Sequence, residues 1–528
     1  MKKRTIFFCG FLMFIILLVI LKNRLILGDD TIFHLNRIIA LSTAIYNGDY
    51  FPKVFFEQNF NYGYGSPLFY SCFFLIPFAF LKLYMSTIKV FILLQKSIFV
   101  VSFISSGFLA RRFSKNKLVI IISALIYTFN PYHFTTIILR AAIGESFAIS
   151  ILPLVILGFL DFINNKRIIK LVIGMSLLAL AHNLSFVVML FFLVVLTLIN
   201  MHKISKKLLL YLIIAIVFTA GLTAFYTFPL IEGMSVVKVE PYNFDFYSQL
   251  LDFKSLFNYA SVIGVNPNMY LSIGLLAFML VLFSLYFDKS TVNIIFVILT
   301  ILTILMTSQY FPKIFLRPFI FIQFPWRILA FTSVFSIIPI TITLDNLYFK
   351  YNWLILFIFV LRVFTYSNYN DIEYVNSNWS DKQLNDDMIV TSYGYSLKFN
   401  SSQLAMAEYI INPWIYNYRE SEYVIIGEDK KYDISMIDYD LMSWEIDLKQ
   451  DQLLQIPRLY YPGYKLYLDG QEVNVFFSDD QLIKVKGEKG YHEYKLVFKG
   501  TTIQNASNYI SFITFAIFTY LIVLKKIR

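Results

Sequence analysis

The feature that most constrains this chain is the recurrence of apolar runs of about 18 residues or more along nearly its whole length, long enough to cross the roughly 30 Å hydrocarbon core of a bilayer as helices. They recur from residue 5 to residue 524 and are broken by short basic segments such as Arg111-Arg112-Phe113-Ser114-Lys115-Asn116-Lys117. Only 15% of the 528 residues are charged, whereas a soluble domain carries about 25%. With a mean hydropathy of +0.64, the sequence predicts a polytopic α-helical membrane protein. The formal net charge of +11 sits in short loops, as the cytoplasmic side of such proteins requires. That distribution makes the lipid bilayer a partner and excludes nucleic acid. Cys9 and Cys72 form no metal or disulfide spacing.

The N-terminal Met1-Lys2-Lys3-Arg4 leads into an apolar stretch with no small-residue cleavage site after it, and reads as a retained anchor entering from the cytoplasm. If residues 67 to 84 crossed the membrane, the basic segment 111 to 117 would face outward, against the positive-inside bias. Pro67, Pro77 and the turn-forming Asn61-Tyr62-Gly63-Tyr64-Gly65-Ser66 instead predict an interfacial or re-entrant helix within a first external loop, 28 to 85. Crossings are then expected at 86–110, 118–132, 148–163, 168–181, 184–200, 208–228, 269–287, 291–308, 328–344, 353–366 and 507–524. With the first, they make about twelve, with both termini cytoplasmic and only Lys22 and Arg24 against the charge bias. Residues 1 to 366 form the expected transmembrane domain, and 506 to 528 carry its final helix. Residues 367 to 505 alternate Val, Ile, Tyr and Phe with polar residues. With the hairpin signature Asp469-Gly470, they predict an extracytoplasmic β-rich, sandwich-like domain.

On this topology the polar clusters share the outer side. Asp29, Asp30, His34 and Arg37 follow the first apolar run, and a helix there would set Asp30, His34 and Arg37 on one face. Asp29 has a competing use as a helix N-cap. Arg140 and Glu145 fall in an expected loop from 133 to 147, where they form either a plain ion pair or part of a site. His182 marks a tight turn between two apolar runs. Gln323-Phe324-Pro325-Trp326-Arg327 places a guanidinium where it can grip a lipid phosphate, or simply anchor the interface. Lys96 lies mid-span, where a charge is costly and marks function unless it snorkels.

These residues resemble a known family. Gly28-Asp29-Asp30-x-x-Phe33-His34-Leu35-x-Arg37, Tyr62-Gly63-Tyr64-Gly65 with Pro67 and Phe69-Tyr70, Arg140 with Gly144-Glu145, His182-Asn183 and Gln323 to Arg327 are similar in order to bacterial membrane proteins of the YfhO type. So are Tyr460-Tyr461-Pro462-Gly463-Tyr464-Lys465 and Asp469-Gly470 in the external domain. Proteins of that type look like members of the GT-C glycosyltransferase superfamily. The resemblance implies a catalytic aspartate in the first external loop, a second acidic position matched by Glu145, and a polyprenyl-phosphate-linked sugar as donor. It also implies a surface glycopolymer such as teichoic acid, or a glycolipid, as acceptor, and in some members a divalent metal such as Mg or Mn.

The residue types suit that chemistry. Sugar transfer to a hydroxyl needs a base for the acceptor proton, and Asp30 is the candidate, with Asp29 beside it and His34 orienting it or sharing the proton. The departing phosphate gains charge that preorganised cations stabilise. Arg327, Arg140, Lys96 and Arg37, together with Gln323, Glu145, His182 and Tyr64, are the expected substrate-binding residues. The rival readings are a polyprenyl-lipid flippase or transporter, which would favour midplane charges such as Lys96, and a non-catalytic membrane assembly factor.

Overall fold

The computed structural model describes residues 3–20, 24–58, 61–237, 245–257, 269–347, 349–366, 375, 423–426, 430–477 and 482–524. The chain is mostly helical, with several apolar helices and a C-terminal β-sheet region. The helices that position the site are α1 (Lys3–Ile20), α2 (Thr31–Tyr46), the short α3 (Ser66–Phe69) and α4 (Ile76–Lys82), α5 (Thr87–Ala110), α6 (Lys117–Thr128), α7 (Pro131–Phe134) and α8 (Ile143–Asn165). There follow α9 (Ile169–Ala181), α10 (Asn183–Ile199), α11 (Lys206–Val236), α12 (Phe253–Phe257), α13 (Leu275–Phe287), α14 (Thr291–Met306), α15 (Leu329–Asn346), α16 (Phe349–Tyr366) and α17 (Thr502–Val523).

Among the described residues, five helices are long and apolar enough to cross a membrane, and the bent pair α6 and Pro131–Leu139 makes a sixth if it counts as one. Two of the five, α8 and the Pro325–Asn346 helix that contains α15, form the centre, with 94% of their apolar windows buried. By contrast, α11 and α17 are 22% and 11% buried there and turn Ile213, Ile216, Val217, Phe512 and Phe515 outward. An apolar belt of that extent would drive aggregation in water. The two outer helices approach closely at Gly221, whose carbonyl accepts from Ser511 Oγ at 2.9 Å.

Three expected boundaries shift. Residues 66–82 fold as short pieces of which the longest, α4, has seven residues, about 10 Å of helix, so this segment cannot cross as one helix. The run expected to end at 132 breaks at Asn130-Pro131. There the Asn130 side chain caps the Tyr132 N–H at 3.0 Å, and proline at the first helical position restarts the chain after a 51° bend. A π-helical turn, Thr135–Leu139, follows. The loop expected over 133 to 147 is therefore reduced to Arg140–Ala142. Similarly, α11 runs through Pro229 to Val236, past its expected end at 228.

Strands β1 (Tyr423–Ile426), β2 (Lys430–Asp433), β3 (Met436–Ile437), β4 (Leu441–Leu448), β5 (Gln452–Leu459), β6 (Tyr464–Leu468), β7 (Gln471–Val473), β8 (Phe476–Phe477), β9 (Leu482–Gly487) and β10 (Gly490–Phe498) form two antiparallel sheets. Their orders are β2-β1-β5-β9-β8 and β3-β4-β10-β6-β7. Alternating apolar residues bury Trp444, Ile446, Leu454, Ile483 and Leu496 from both sheets in one core. Asp469 and Gly470 both adopt positive φ, 47° and 83°, which gives the two-residue hairpin between β6 and β7 its mirror-image turn. Thr501 caps α17, which begins at Thr502 rather than 506. Residues 367–374 and 376–422 of the expected β domain lie outside the described residues.

The first loop docks on this domain. Val54, Phe56, Tyr62, Tyr64, Leu68 and Phe69 belong to the sandwich core, and the Leu459 N–H donates to the Tyr62 carbonyl at 2.8 Å. Tyr64 thus packs between loop and sheets and is not at the ion cluster, contrary to its expected substrate-binding role.

Candidate functional site

The N-terminus of α2 is pinned to the turn between the π-helical segment and α8. The Asp30 N–H donates to the Arg140 carbonyl at 2.8 Å, and Thr31 Oγ1 accepts from the Gly28 N–H at 2.8 Å while donating to the Ile26 carbonyl. Glycine is needed here because a Cβ on Gly28 would lie 2.1 Å from the Leu139 carbonyl oxygen. Gly28→Ala is therefore expected to push α2 off that turn and to lower stability by about 1–3 kcal/mol. Thermal unfolding of the purified variant checks this, and an unchanged midpoint would refute the pinning.

Asp30, not Asp29, occupies the N-cap of α2, yet its side chain makes no capping bond. Its carboxylate feels Arg140, Arg327 and Glu145, and burial holds its pKa above the ordinary aspartate value. Asp29 Oδ2 lies 3.7 Å from Arg140 Nε. At the centre, Glu145 in the first turn of α8 accepts from Arg140 Nη1 at 3.0 Å and from the Tyr132 hydroxyl, and its Oε2 is 3.6 Å from Arg327 Nε. The Arg140 guanidinium stacks on Trp326 at 4.5 Å, and Trp326 stacks on Phe324 at 4.7 Å.

Arg327 is positioned by its own loop. Nη1 donates to Gln323 Oε1 at 3.0 Å and to the Ile322 carbonyl at 3.1 Å, which Gln323 permits by taking a positive φ of 66°. Its side chain is 14% exposed, against 4% for Arg140 and 2% for Glu145. Among the described residues Nη2 of Arg327 has no partner. Four expected site residues, Asp29, Asp30, Arg140 and Glu145, thus meet Arg327 and Gln323 in one cluster drawn from three separate stretches of chain. Sequence reasoning missed Tyr132, whose only local signal is the Asn130-Pro131 break that turns it inward.

Other expectations are corrected. Arg140 is enclosed by Glu145, Asp29 and Trp326, so among the described residues its guanidinium is engaged within the cluster and not open as its expected substrate-binding place would have it. The backbone N–H of His34 donates to the Asp30 carbonyl at 3.1 Å, but among the described residues its side chain does not pair with the Asp30 carboxylate: its Nδ1 lies 3.4 Å from Arg37 Nη1, and its ring stands 5.7 Å from Tyr70. Arg37 is buried and is spent on structure, donating from Nη2 to the carbonyls of Tyr70 and Ser71 at 2.7 and 2.8 Å. Burial keeps His34 neutral, with its pKa well below the ordinary histidine value.

His182 lies between the two groups. It caps α10 through Nδ1, which accepts from the Ser185 N–H at 3.3 Å, and its ring stands 6.4 Å from Tyr70. Burial, aided by Arg327 and Arg140, lowers its pKa to about 4 against the pull of Glu145. It is therefore a neutral imidazole at pH 7 with its proton on Nε2. Lys96 stands half-buried on α5 beside Gln95, whose amide donates to the Ile137 carbonyl at 2.7 Å.

The cluster does not suit the divalent metal that the resemblance allows. Both Glu145 oxygens are committed to Tyr132 and the arginines, and guanidinium groups occupy the space between the carboxylates. No group of three His, Cys, Asp or Glu side chains among the described residues is placed to hold a metal ion. Chemically, the arrangement offers a carboxylate with no side-chain hydrogen bond and a guanidinium whose Nη2 has no partner among the described residues, the one within the field of the other. No family model, curated protein or solved structure matches the chain.

Proposed function

We propose that the protein is a membrane glycosyltransferase with a GT-C-like helical domain of about twelve crossings. It moves a sugar from a polyprenyl-phosphate donor to a cell-surface glycopolymer of the teichoic-acid kind, or to a glycolipid, on the outer face. The observation that carries this reading is the Asp30 carboxylate, which makes no capping bond and lies in the field of Arg140 and Arg327 within one ion cluster. In this mechanism Asp30 takes the proton of the acceptor hydroxyl as its oxygen bonds to the anomeric carbon. The bond from that carbon to the donor phosphate breaks, and the phosphate leaves with the electron pair. Arg327 stabilises the charge it gains, held in place by Glu145 and Gln323.

Vesicles carrying a panel of radiolabelled polyprenyl-phosphate hexoses, with envelope glycan from the same cells added outside, test the proposal. Label passes from lipid to glycan with the wild-type protein and not with Asp30→Asn. Label that changes leaflet while remaining on the lipid would replace the transferase with a flippase.

A further inference from the structure

A second hollow lies at the far end of α2. A cleft of about 640 Å³ is enclosed by the Asn47–Lys53 segment, the turn between β3 and β4, and the first turn of α17, a size suited to a small ligand. We propose that this cleft binds a neutral oligosaccharide, the uncharged glycan of a glycolipid or glycopolymer acceptor and not a teichoic-acid chain, an inference that rests on the function proposed above and narrows its acceptor.

Two buried polar atoms at the cleft lack partners among the described residues. Gln504 is 2% exposed and its Nε2 donates to the Pro462 carbonyl at 2.8 Å, but its Oε1 accepts nothing. The Tyr439 hydroxyl in the β3–β4 turn is likewise buried and unpaired. A buried polar atom without a partner costs about 1–3 kcal/mol. A sugar hydroxyl donates and accepts at once, so a polyol satisfies both atoms.

Around them, Asp49, Asp438 and Asp440 supply acceptors, and the Tyr50 and Phe51 rings are 51% and 54% exposed, apolar faces suited to the C–H side of a sugar. Lys53 and Lys499 are the basic lining residues, and Lys53 Nζ is already donated to the Phe225 carbonyl at 2.9 Å. With three carboxylates against two ammonium groups, the lining opposes a polyanion and accepts an uncharged chain.

A narrower hollow shares Tyr50, Phe51 and Lys53 with the cleft and reaches Ser71 and Cys72. These are the residues whose carbonyl and thiol Arg37 contacts. It therefore ends at the residues that hold Arg37, about two turns along α2 from Asp30. The 16 residues of α2 span about 24 Å, so the ligand is a chain of several sugars and not a monosaccharide.

Full-length protein in lipid nanodiscs, titrated with fluorescent neutral tetra- to hexasaccharides of glucose, galactose and N-acetylhexosamine and with poly(glycerol phosphate), tests the inference. At least one neutral chain binds, and Phe51→Ala and Gln504→Leu each weaken it by tenfold or more. Phe51 is exposed, so its variant keeps the test open should Gln504→Leu fail to fold. Binding of none, binding of poly(glycerol phosphate) alone, or binding that ignores Phe51→Ala would overturn the assignment. Neutral-glycan binding by a protein that transfers no sugar would remove the acceptor role and the transferase reading together. Transfer without such binding would remove only the cleft.

Discussion

Asp30→Asn is expected to slow sugar transfer by about 10²–10⁴-fold while raising the thermal midpoint of the protein. Both effects come from one property of the wild-type residue. Its carboxylate is largely enclosed and makes neither a capping bond nor a side-chain hydrogen bond among the described residues, and burial outweighs Arg140 and Arg327 to raise its pKa above the ordinary 3.8. The folded protein therefore holds this proton more tightly than the unfolded chain does. Stability contributed by the protonated group is lost as pH rises from the ordinary value through the folded one, and above the folded value the ionised carboxylate is a burden. Asparagine removes that burden and the base together, as expected where activity and stability compete at one residue. The wild-type rate should fall as pH drops through the raised Asp30 value, an acid limb displaced upward from that of an ordinary aspartate. Melting curves and transfer rates between pH 4 and 8 check both. A variant that is equally active, or that loses stability at neutral pH, would deny Asp30 this role.

Much of the frame was legible because it depends on local pattern. The apolar runs correspond to helices at α5, α8, α10 and α14, the Asp469-Gly470 pair is a two-residue hairpin turn, and the proline-marked stretch from 66 to 82 is broken into short pieces. The grouping of Asp30 with Arg140, Glu145 and Arg327 was anticipated only as a shared side. Its wiring was not visible, because it is made by contacts distant in sequence.

Spacing alone put His34 and Arg37 on the face of Asp30. Nothing local reveals that the carbonyls of Tyr70 and Ser71 capture Arg37 and draw His34 with it. The same holds for Asp29 and Asp30. Either suits an N-cap by residue type, and the choice is made by the Arg140 carbonyl, which takes the Asp30 N–H. Tyr64 looked like part of a substrate loop and instead fills a core that forms only once the β domain is present.

Glu145→Gln is expected to destabilise the protein by about 3–5 kcal/mol, the usual consequence of removing one partner from a buried ion pair. Arg140, with a side chain 4% exposed, would keep Asp29 at 3.7 Å, the field of Asp30 and its stack on Trp326 but lose its closest carboxylate, and Arg327 would lose the oxygen 3.6 Å from its Nε. At the opposite end of α8, Asp161 pairs with Arg112 at 3.6 Å and Lys170 at 2.6 Å. There the cationic side chains are 39% and 48% exposed, so Asp161→Asn leaves them to solvent and should cost no more than about 1 kcal/mol. The two ends of one helix thus provide an internal comparison between an enclosed charge cluster and a solvated one. The double variant Glu145→Gln with Arg140→Met should recover part of the loss, because it removes the stranded guanidinium as well as its counter-ion. Unfolding of the wild type, Glu145→Gln, Arg140→Met, the double variant and Asp161→Asn in nanodiscs measures the coupling and the comparison. Equal losses from Glu145→Gln and Asp161→Asn, or no recovery in the double variant, would mean that Glu145 does not hold the two arginines together.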